Sequence, residues 1–452
     1  MEKIKSELKR WKELVVVSIP FIFLQAFTDF SLFADRYHLA QYGIDHLQAC
    51  IYAGAAASIF DGLMKRSAFM TKTFVGKAWG SGDDKKIGPI IWQMIWYCVF
   101  SNFFVMPAGY IMHFWYFEGE AAIVSNYFYG LLAINSLFSL SIVLAAFYTG
   151  RGKKGIVSIA MVTMGIFFVI LNRSLVLGVP GFIPAMGLKG SFLSIGISYS
   201  LLNLTFLTLF LLPKNREKYN TTAWKLDIPQ FTQLAKTCIP YGMAMALAGV
   251  SYSLNVKTIK LAGEDYFLCL SLLSSFVLIF GAPTLILTQG LLVLFSQQIG
   301  ARDFSQAKKY LYSSLRICLA IAIAMIFPLW MKSDQVLSWF FKDYQTFKPL
   351  SVEYLKLGSL MMVPYIFVLG AERIYTSLFN SFGETKYVFG YLAVYLSIGV
   401  PVVYLCTTTF GLPPWTVGGI IGSNIVLFRI LPYIYRSNIS IWNREDYKKA
   451  KA

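Results

Sequence analysis

The sequence predicts an all-α polytopic membrane protein with twelve transmembrane helices. Of its 452 residues, 56% are hydrophobic and only 14% are charged, against about 25% in an average soluble domain. The mean hydropathy is +0.58. A soluble protein of this composition would expose apolar patches larger than a monomer tolerates. The chain is therefore expected to lie within a lipid bilayer.

Individual apolar segments support this fold class. A membrane-spanning helix needs about 20 predominantly apolar residues, and the chain contains twelve segments of sufficient length. In chain order they are 13–38, 47–77, 87–112, 121–148, 155–178, 188–212, 230–261, 266–298, 308–331, 349–380, 386–408 and 416–435.

The distribution of positive charge predicts the topology. With the amino terminus in the cytoplasm, 23 lysines and arginines fall in cytoplasmic stretches and four on the opposite side. Cytoplasmic loops of membrane proteins carry such an excess. We therefore expect a multi-pass protein of the cell (inner) membrane with both termini in the cytoplasm. The net charge of +17 then reflects topology and does not indicate a nucleic-acid partner.

The two halves of the chain carry matching landmarks at an offset of 220 residues. Pro20 and Asp35 correspond in this way to Pro240 and Asn255. Each half has an even number of helices, so both enter the membrane in the same direction, as parallel repeats about an axis along the membrane normal. The predicted division is a six-helix lobe at 1–212, a cytoplasmic linker at 213–229, a second six-helix lobe at 230–437 and a cytoplasmic tail at 438–452.

Several motifs occur in an order that resembles one transporter family. They are SIPFIFLQAFTDFSLFADRYHLAQYG, GKAWGSGDDKK, FYTGRGKKG, IPAMGLKGSFLSIGIS, FSQQIGARDFSQAKKY and LFNSFGETK. Together they resemble the multidrug and toxic compound extrusion (MATE) family, within the larger group that includes saccharide-lipid flippases. The resemblance implies a cation-coupled antiporter that works by alternating access. It also implies a coupling carboxylate fifteen residues after a proline on the first helix, which is Asp35 here.

The coupling ion is expected to be H⁺, with Na⁺ as the alternative. Sodium-type members of the family carry an asparagine and an aspartate on the fifth helix, and the matching positions here are Phe168 and Asn172. One ligand is therefore lost, one carboxylate has become an amide, and the basic Arg173 stands next to it. A proton needs only one suitable carboxylate. We assign Asp35 and Asn172 to cation coupling, with no cofactor and no metal.

Charges deep in the spans are the other candidates for function. A charge at the bilayer centre costs about 2.5–3.5 kcal/mol even on the mildest scale, so these residues should face an interior or a wet cavity. Residues nearer the span ends, including Lys72, Arg316 and Arg429, are expected to extend toward the interface. The predicted substrate-cavity residues are Lys65, Arg66, Asp61, Arg36, Arg173, Asn255, Lys257 and Glu372.

Two interpretations remain open for most of these charges. Asp61 and Lys65 are four residues apart and can form an intrahelical ion pair, or Lys65 and Arg66 can contact substrate. Asp35 can be the coupling group or a structural partner of Arg36 or Arg173. Glu372 can act in gating or cation handling, or in structural pairing. Asn255 is included by repeat symmetry alone.

The repeat favours a function for the second helix of the first lobe, because Lys65 and Arg66 correspond to Leu285 and Ile286. The fold therefore does not require the charges. Basic residues outnumber acidic ones among the charges deep in the spans. We therefore expect an amphipathic, anionic or zwitterionic small-molecule substrate, exported by a monomer. The first alternative is a flippase of a lipid-linked or phosphate-bearing lipid. A membrane enzyme or receptor scaffold is disfavoured, because no nucleophile–base or metal constellation is present.

Overall fold

The computed structural model describes residues 2–116, 122–153, 155–331, 335 and 349–442. Most of this part of the chain is helical. It also contains an isolated antiparallel β-bridge between Val179 and Ile183. Each of the twelve predicted spans corresponds to helix over its described residues. Eight helices in the described residues are long and apolar enough to cross a membrane. Four further spans, at 13–38, 47–77, 230–261 and 308–331, are helical as well.

The helices of the first half have the following bounds: α1 Glu2–Tyr42, α2 Ile44–Phe69, α3 Thr71–Gly80, α4 Ile87–Tyr116, α5 Ala122–Thr149, α6 Gly155–Val176, α7 Leu188–Phe210 and α8 Pro213–Tyr219. The predicted span 47–77 is thus interrupted at Met70, which separates α2 from α3. The predicted linker begins with α8 and is partly helical.

The helices of the second half are α9 Ile228–Ala262, α10 Glu264–Phe280, α11 Ala282–Gly300, α12 Phe304–Met331, α13 Pro349–Phe382, α14 Thr385–Val394, α15 Val400–Tyr404, α16 Val417–Ile425 and α17 Leu431–Arg436. The predicted span 266–298 is divided at Gly281, between α10 and α11. Segments of π-helix adjoin the last four helices at Tyr395–Gly399, Leu405–Thr409, Val426–Ile430 and Ser437–Ile441.

The chain forms two compact units. The first-half unit is Ile19–Met245, and the second-half unit combines Met1–Ser18 with Ala246–Ala452. The first 18 residues therefore pack with the second half, and residues 230–245 pack with the first half. The predicted division into two lobes, with a linker at 213–229, follows the repeat in the sequence and stays a prediction.

The first-half unit holds the linker firmly. On α4, Trp92 Nε1 donates to the Thr221 carbonyl at 2.7 Å and Trp96 Nε1 donates to the Trp224 carbonyl at 2.9 Å. Gly88 admits the backbone at Asn220, because a Cβ there would overlap its carbonyl oxygen. The linker is therefore docked along the start of α4.

A buried arginine reinforces the same corner. The Arg151 guanidinium lies 3.8 Å from the Phe147 ring centroid and 4.2 Å from that of Tyr219, at the end of α8. Arg151 is 5% exposed, and burial lowers the pKa of its side chain. Stacking on two aromatic faces offsets part of the cost of this burial.

Candidate functional site

Asp35 lies near the carboxyl end of α1 and is 3% exposed. Asn172, near the end of α6, donates from Nδ2 to Asp35 Oδ1 at 2.6 Å. The predicted coupling pair is therefore in direct contact. The interpretation of Asp35 as a partner of Arg36 or Arg173 finds no hydrogen bond or ion pair in the described part of the chain.

Sequence reasoning missed a third member of this group. His38 follows Asp35 by one helical turn and is 7% exposed. Its Nδ1 lies 2.7 Å from Asn172 Oδ1. Because the Asn172 amide group donates to Asp35, its oxygen is the atom that accepts from His38. The i,i+3 spacing of Asp35 and His38 was the available signal.

Serines of α7 complete the group. Asn172 Nδ2 also donates to Ser194 Oγ at 2.9 Å, and Ser194 Oγ donates to the Ser191 carbonyl at 2.7 Å. The Ser191 side chain hydrogen-bonds to Asp35 and lies 3.3 Å from the Tyr127 hydroxyl. We call Asp35, His38, Asn172, Ser191 and Ser194 the Asp35 cluster. It draws on α1, α6 and α7.

The cluster adjoins a cavity of about 560 Å³ within the first-half unit. Asp35, Arg36, Cys50 and Lys65 are among its lining residues. Cys50 and Lys65 both belong to α2, and the separation of these two positions along the helix is about 22 Å at 1.5 Å per residue. The cavity therefore extends from the level of Asp35 and Cys50 to the level of Lys65.

Lys65 lies among aromatic side chains at its end of the cavity. Its Nζ is 4.0 Å from the Phe138 ring centroid, and Phe138 meets Tyr199 edge to face at 4.3 Å between centroids. Both aromatic residues line the cavity. The positive charge of Lys65 is attracted to the face of the Phe138 ring, which favours this position of the ammonium group.

Arg66, adjacent to Lys65, is placed differently. It is exposed, it is not among the cavity-lining residues, and its guanidinium lies 5.7 Å from the ring centroid of Phe69. The helical rotation of 100° between neighbours accounts for the difference. The side chain of Asp61 lies outside the described residues, so its predicted pair with Lys65 stays a prediction.

The other candidates do not join this site. Arg173 is exposed beside Asn172, and Lys257 is exposed on α9. Asn255, the repeat counterpart of Asp35, is 5% exposed, and its Nδ2 donates to the Tyr395 hydroxyl at 3.1 Å. It therefore contributes to the interior of the second-half unit, and a role in a substrate cavity stays a prediction.

Glu372 forms a buried ion pair with Arg429 in the second-half unit. Glu372 is 6% exposed and Arg429 is 9% exposed. Thr376 Oγ1 also donates to Glu372 Oε1 at 2.7 Å. The expectation that Arg429 extends to the interface is wrong, because a carboxylate neutralises its charge inside the protein. The same expectation is wrong for Lys72, which is 4% exposed.

One family model matches part of the chain. The model of the MatE family matches residues 240–405, a segment that includes Asn255 and Glu372. This segment of the chain is therefore similar to the MATE family. This similarity to a family of transporters supports a transport function for the chain.

Several known proteins are similar to most of the chain. A probable multidrug resistance protein NorM from Bacillus cereus (strain ATCC 10987 / NRS 248) is 23% identical over an alignment of 362 residues, and the match covers 75% of this chain and 75% of that protein. A MATE transporter solved in a bent conformation superposes with a TM-score of 0.82 at 14% identity, over 97% of each chain. A transporter from Pyrococcus furiosus superposes with a TM-score of 0.76 at 15% identity, over 96% of this chain and 97% of that one. These similarities confirm the twelve-helix fold.

Proposed function

We propose that this chain is a MATE transporter that exports an amphipathic small molecule from the cytoplasm in exchange for protons, with both termini in the cytoplasm. Asp35 carries the proton. Asn172 positions the Asp35 carboxylate, and His38 positions Asn172. The observation that carries this proposal is the direct contact of a buried carboxylate with a neutral amide. The NorM relative is named as a probable multidrug resistance protein, which supports export of small molecules.

The arrangement around Asp35 suits H⁺ better than Na⁺. Asn172 presents its amino group to the carboxylate and turns its oxygen toward His38. A hard cation requires several oxygen ligands, and a hydrogen-bond donor in that position opposes such a site. Among the described side chains, no second carboxylate lies within hydrogen-bond distance of Asp35. A proton requires only Asp35 itself.

Transport in proteoliposomes under imposed pH or Na⁺ gradients tests the coupling. A pH gradient, and not an Na⁺ gradient, should drive exchange, and Asp35→Asn should abolish the response. Asp45→Asn is the matched control, because Asp45 is an exposed carboxylate in the first turn of α2. Exchange driven by Na⁺ alone, or normal exchange in Asp35→Asn, would contradict the proposal.

The cavity supports an anionic or zwitterionic substrate. Its described lining carries two basic residues, Arg36 and Lys65, and one acid, Asp35. A volume of about 560 Å³ lies within the range of drug-sized ligand sites. The Pyrococcus furiosus transporter is described as having a binding pocket of reversed polarity that suggests a different function. A substrate of unusual charge is therefore consistent with this fold.

Neighbouring variants on α2 test the charge preference. Lys65→Gln should weaken the binding of an anionic aromatic probe by roughly 10- to 150-fold, because a hydrogen bond to a charged group contributes about 1.5–3 kcal/mol. Arg66→Gln should change it little, since Arg66 does not line the cavity. A larger loss in Arg66→Gln would show that substrate binds elsewhere.

The flippase alternative rests on the same basic residues, because lysine and arginine also bind phosphate. It differs in what drives transport. Movement of a fluorescent phospholipid between leaflets without any imposed gradient, unaffected by Asp35→Asn, would favour the flippase.

A further inference from the structure

Three buried polar side chains on α5 and α7 of the first-half unit have hydrogen-bonding atoms without partners. Asn135 is 1% exposed, Ser139 is 1% exposed and Ser198 is 5% exposed. Both amide atoms of Asn135, and both serine hydroxyls, have no hydrogen-bond partner in the described part of the chain. Burying such groups unsatisfied is costly, so their retention needs an explanation.

These side chains lie at matching depths. The two helices run parallel, because the Tyr127 hydroxyl lies 3.3 Å from Ser191 Oγ and, further along both, Asn203 Nδ2 donates to the Leu137 carbonyl at 3.0 Å. Asn135 and Ser198 fall between these two contacts. Ser139 follows Asn135 by one turn on the same face of α5.

The group is continuous with the Asp35 cluster. Ser191, Ser194 and Ser198 recur at spacings of three and four, which places them along one face of α7. Ser191 and Ser194 belong to the Asp35 cluster, whereas Ser198 lines the cavity. Four residues correspond to a rise of about 6 Å. A row of polar groups therefore leads from Asp35 toward the depth of Asn135.

We propose that Asn135, Ser139 and Ser198 bind a short file of ordered water molecules that carries protons between Asp35 and the deeper part of the cavity. Water both donates and accepts, so it satisfies the amino group and the oxygen of Asn135 together. Each transfer forms one O–H bond as the neighbouring one breaks, and one proton moves onto or off the Asp35 carboxylate. The inference rests on the proposed function, since it supplies the path to the same carboxylate.

Isosteric replacement separates a hydrated path from a dry structural defect. Asn135→Leu and Ser198→Ala should slow proton-driven exchange by about tenfold or more, because polar relays carry protons through membrane proteins. Equilibrium binding of the anionic probe should be unchanged in Asn135→Leu, because Asn135 is not among the residues that line the cavity. Ser141→Ala is the matched control on α5, because the Ser141 hydroxyl already donates to the Phe138 carbonyl at 2.7 Å.

A second readout reports the water directly. Hydroxyl-radical footprinting by short X-ray pulses modifies side chains beside bound water, and Tyr199 lines the same cavity as Ser198. Modification of Tyr199 should fall in Asn135→Leu and stay unchanged in Ser141→Ala. Unchanged Tyr199 modification together with normal exchange in Asn135→Leu would overturn the inference.

The failure of this inference is distinguishable from failure of proton coupling. If Asp35→Asn loses exchange while Asn135→Leu keeps it, coupling stands and the water file is refuted. If Asp35→Asn keeps normal exchange, the proposed function fails, and the proton role of the water file fails with it.

Discussion

Removing Arg429 should destabilise the second-half unit far more than removing Arg429 and Glu372 together. Both side chains are nearly buried and form an ion pair, to which Thr376 adds a hydrogen bond. Arg429→Met leaves an uncompensated carboxylate, which costs about 3–5 kcal/mol. Replacing a buried pair by uncharged groups is often neutral or stabilising. The double variant Glu372→Gln/Arg429→Met should therefore recover most of the loss.

The assay is the free energy of unfolding in mixed detergent micelles for wild type, both single variants and the double variant. The exposed pair of Asp83 and Lys86 supplies the control. Its double-mutant cycle should give about 0–1 kcal/mol, as for other surface pairs. A double variant of Arg429 and Glu372 that is as unstable as Arg429→Met would refute the reasoning.

The same variants address the function of Glu372. If its role is structural pairing, the double variant should retain proton-driven exchange at close to the wild-type rate. Loss of exchange in a stably folded double variant would instead show that Glu372 handles a cation or takes part in gating.

Three further predictions concern other parts of the chain. Glu7 pairs with Arg316, and this hydrogen bond lowers the pKa of Glu7. The pair therefore stabilises the fold at pH values above the ordinary glutamate pKa, and this stabilisation is lost as pH falls through the lowered pKa. Acid should hasten proteolysis of the amino-terminal segment in wild type but not in Glu7→Gln. Gly88→Ala should destabilise the linker by about 1–3 kcal/mol through overpacking and speed its proteolysis, whereas Gly62→Ala, where a Cβ meets nothing within 4 Å, should not. His38→Phe should lower proton-driven exchange by up to about tenfold, because it removes the hydrogen bond that orients the Asn172 amide toward Asp35, and such a bond contributes about 0.5–1.5 kcal/mol. His38→Gln, which can still donate, should retain most of the exchange. Equal loss in both variants would contradict the role of the hydrogen bond.

The order of helices could be predicted from apolar length and charge asymmetry, because both signals are local in sequence. The pairing of Asp35 with Asn172 was also accessible, through the family motifs. The interruptions at Met70 and Gly281 were not, because a turn of this kind leaves the hydrophobic composition unchanged. Sequence predicts a span in such cases without predicting that it consists of two helices.

Contacts between distant segments account for most of the remainder. Lys65 and Arg66 are both basic and stand side by side in the sequence. Only the rotation of α2 against its neighbours decides which one lines the cavity. Arg316 pairs with Glu7, which is far away in the sequence, and its side chain is 61% exposed, so this contact does not contradict the expectation that it extends toward the interface. His38 gave little signal alone, because its partner Asn172 lies on another helix.

The central claim is that substrate and a proton on Asp35 exchange for one another. Adding an anionic aromatic substrate to purified protein in weakly buffered detergent solution, with a pH indicator, measures this directly. Wild type and Asp45→Asn should release protons in proportion to the substrate bound, and Asp35→Asn should release none while still binding it. Equal proton release from Asp35→Asn would contradict the account.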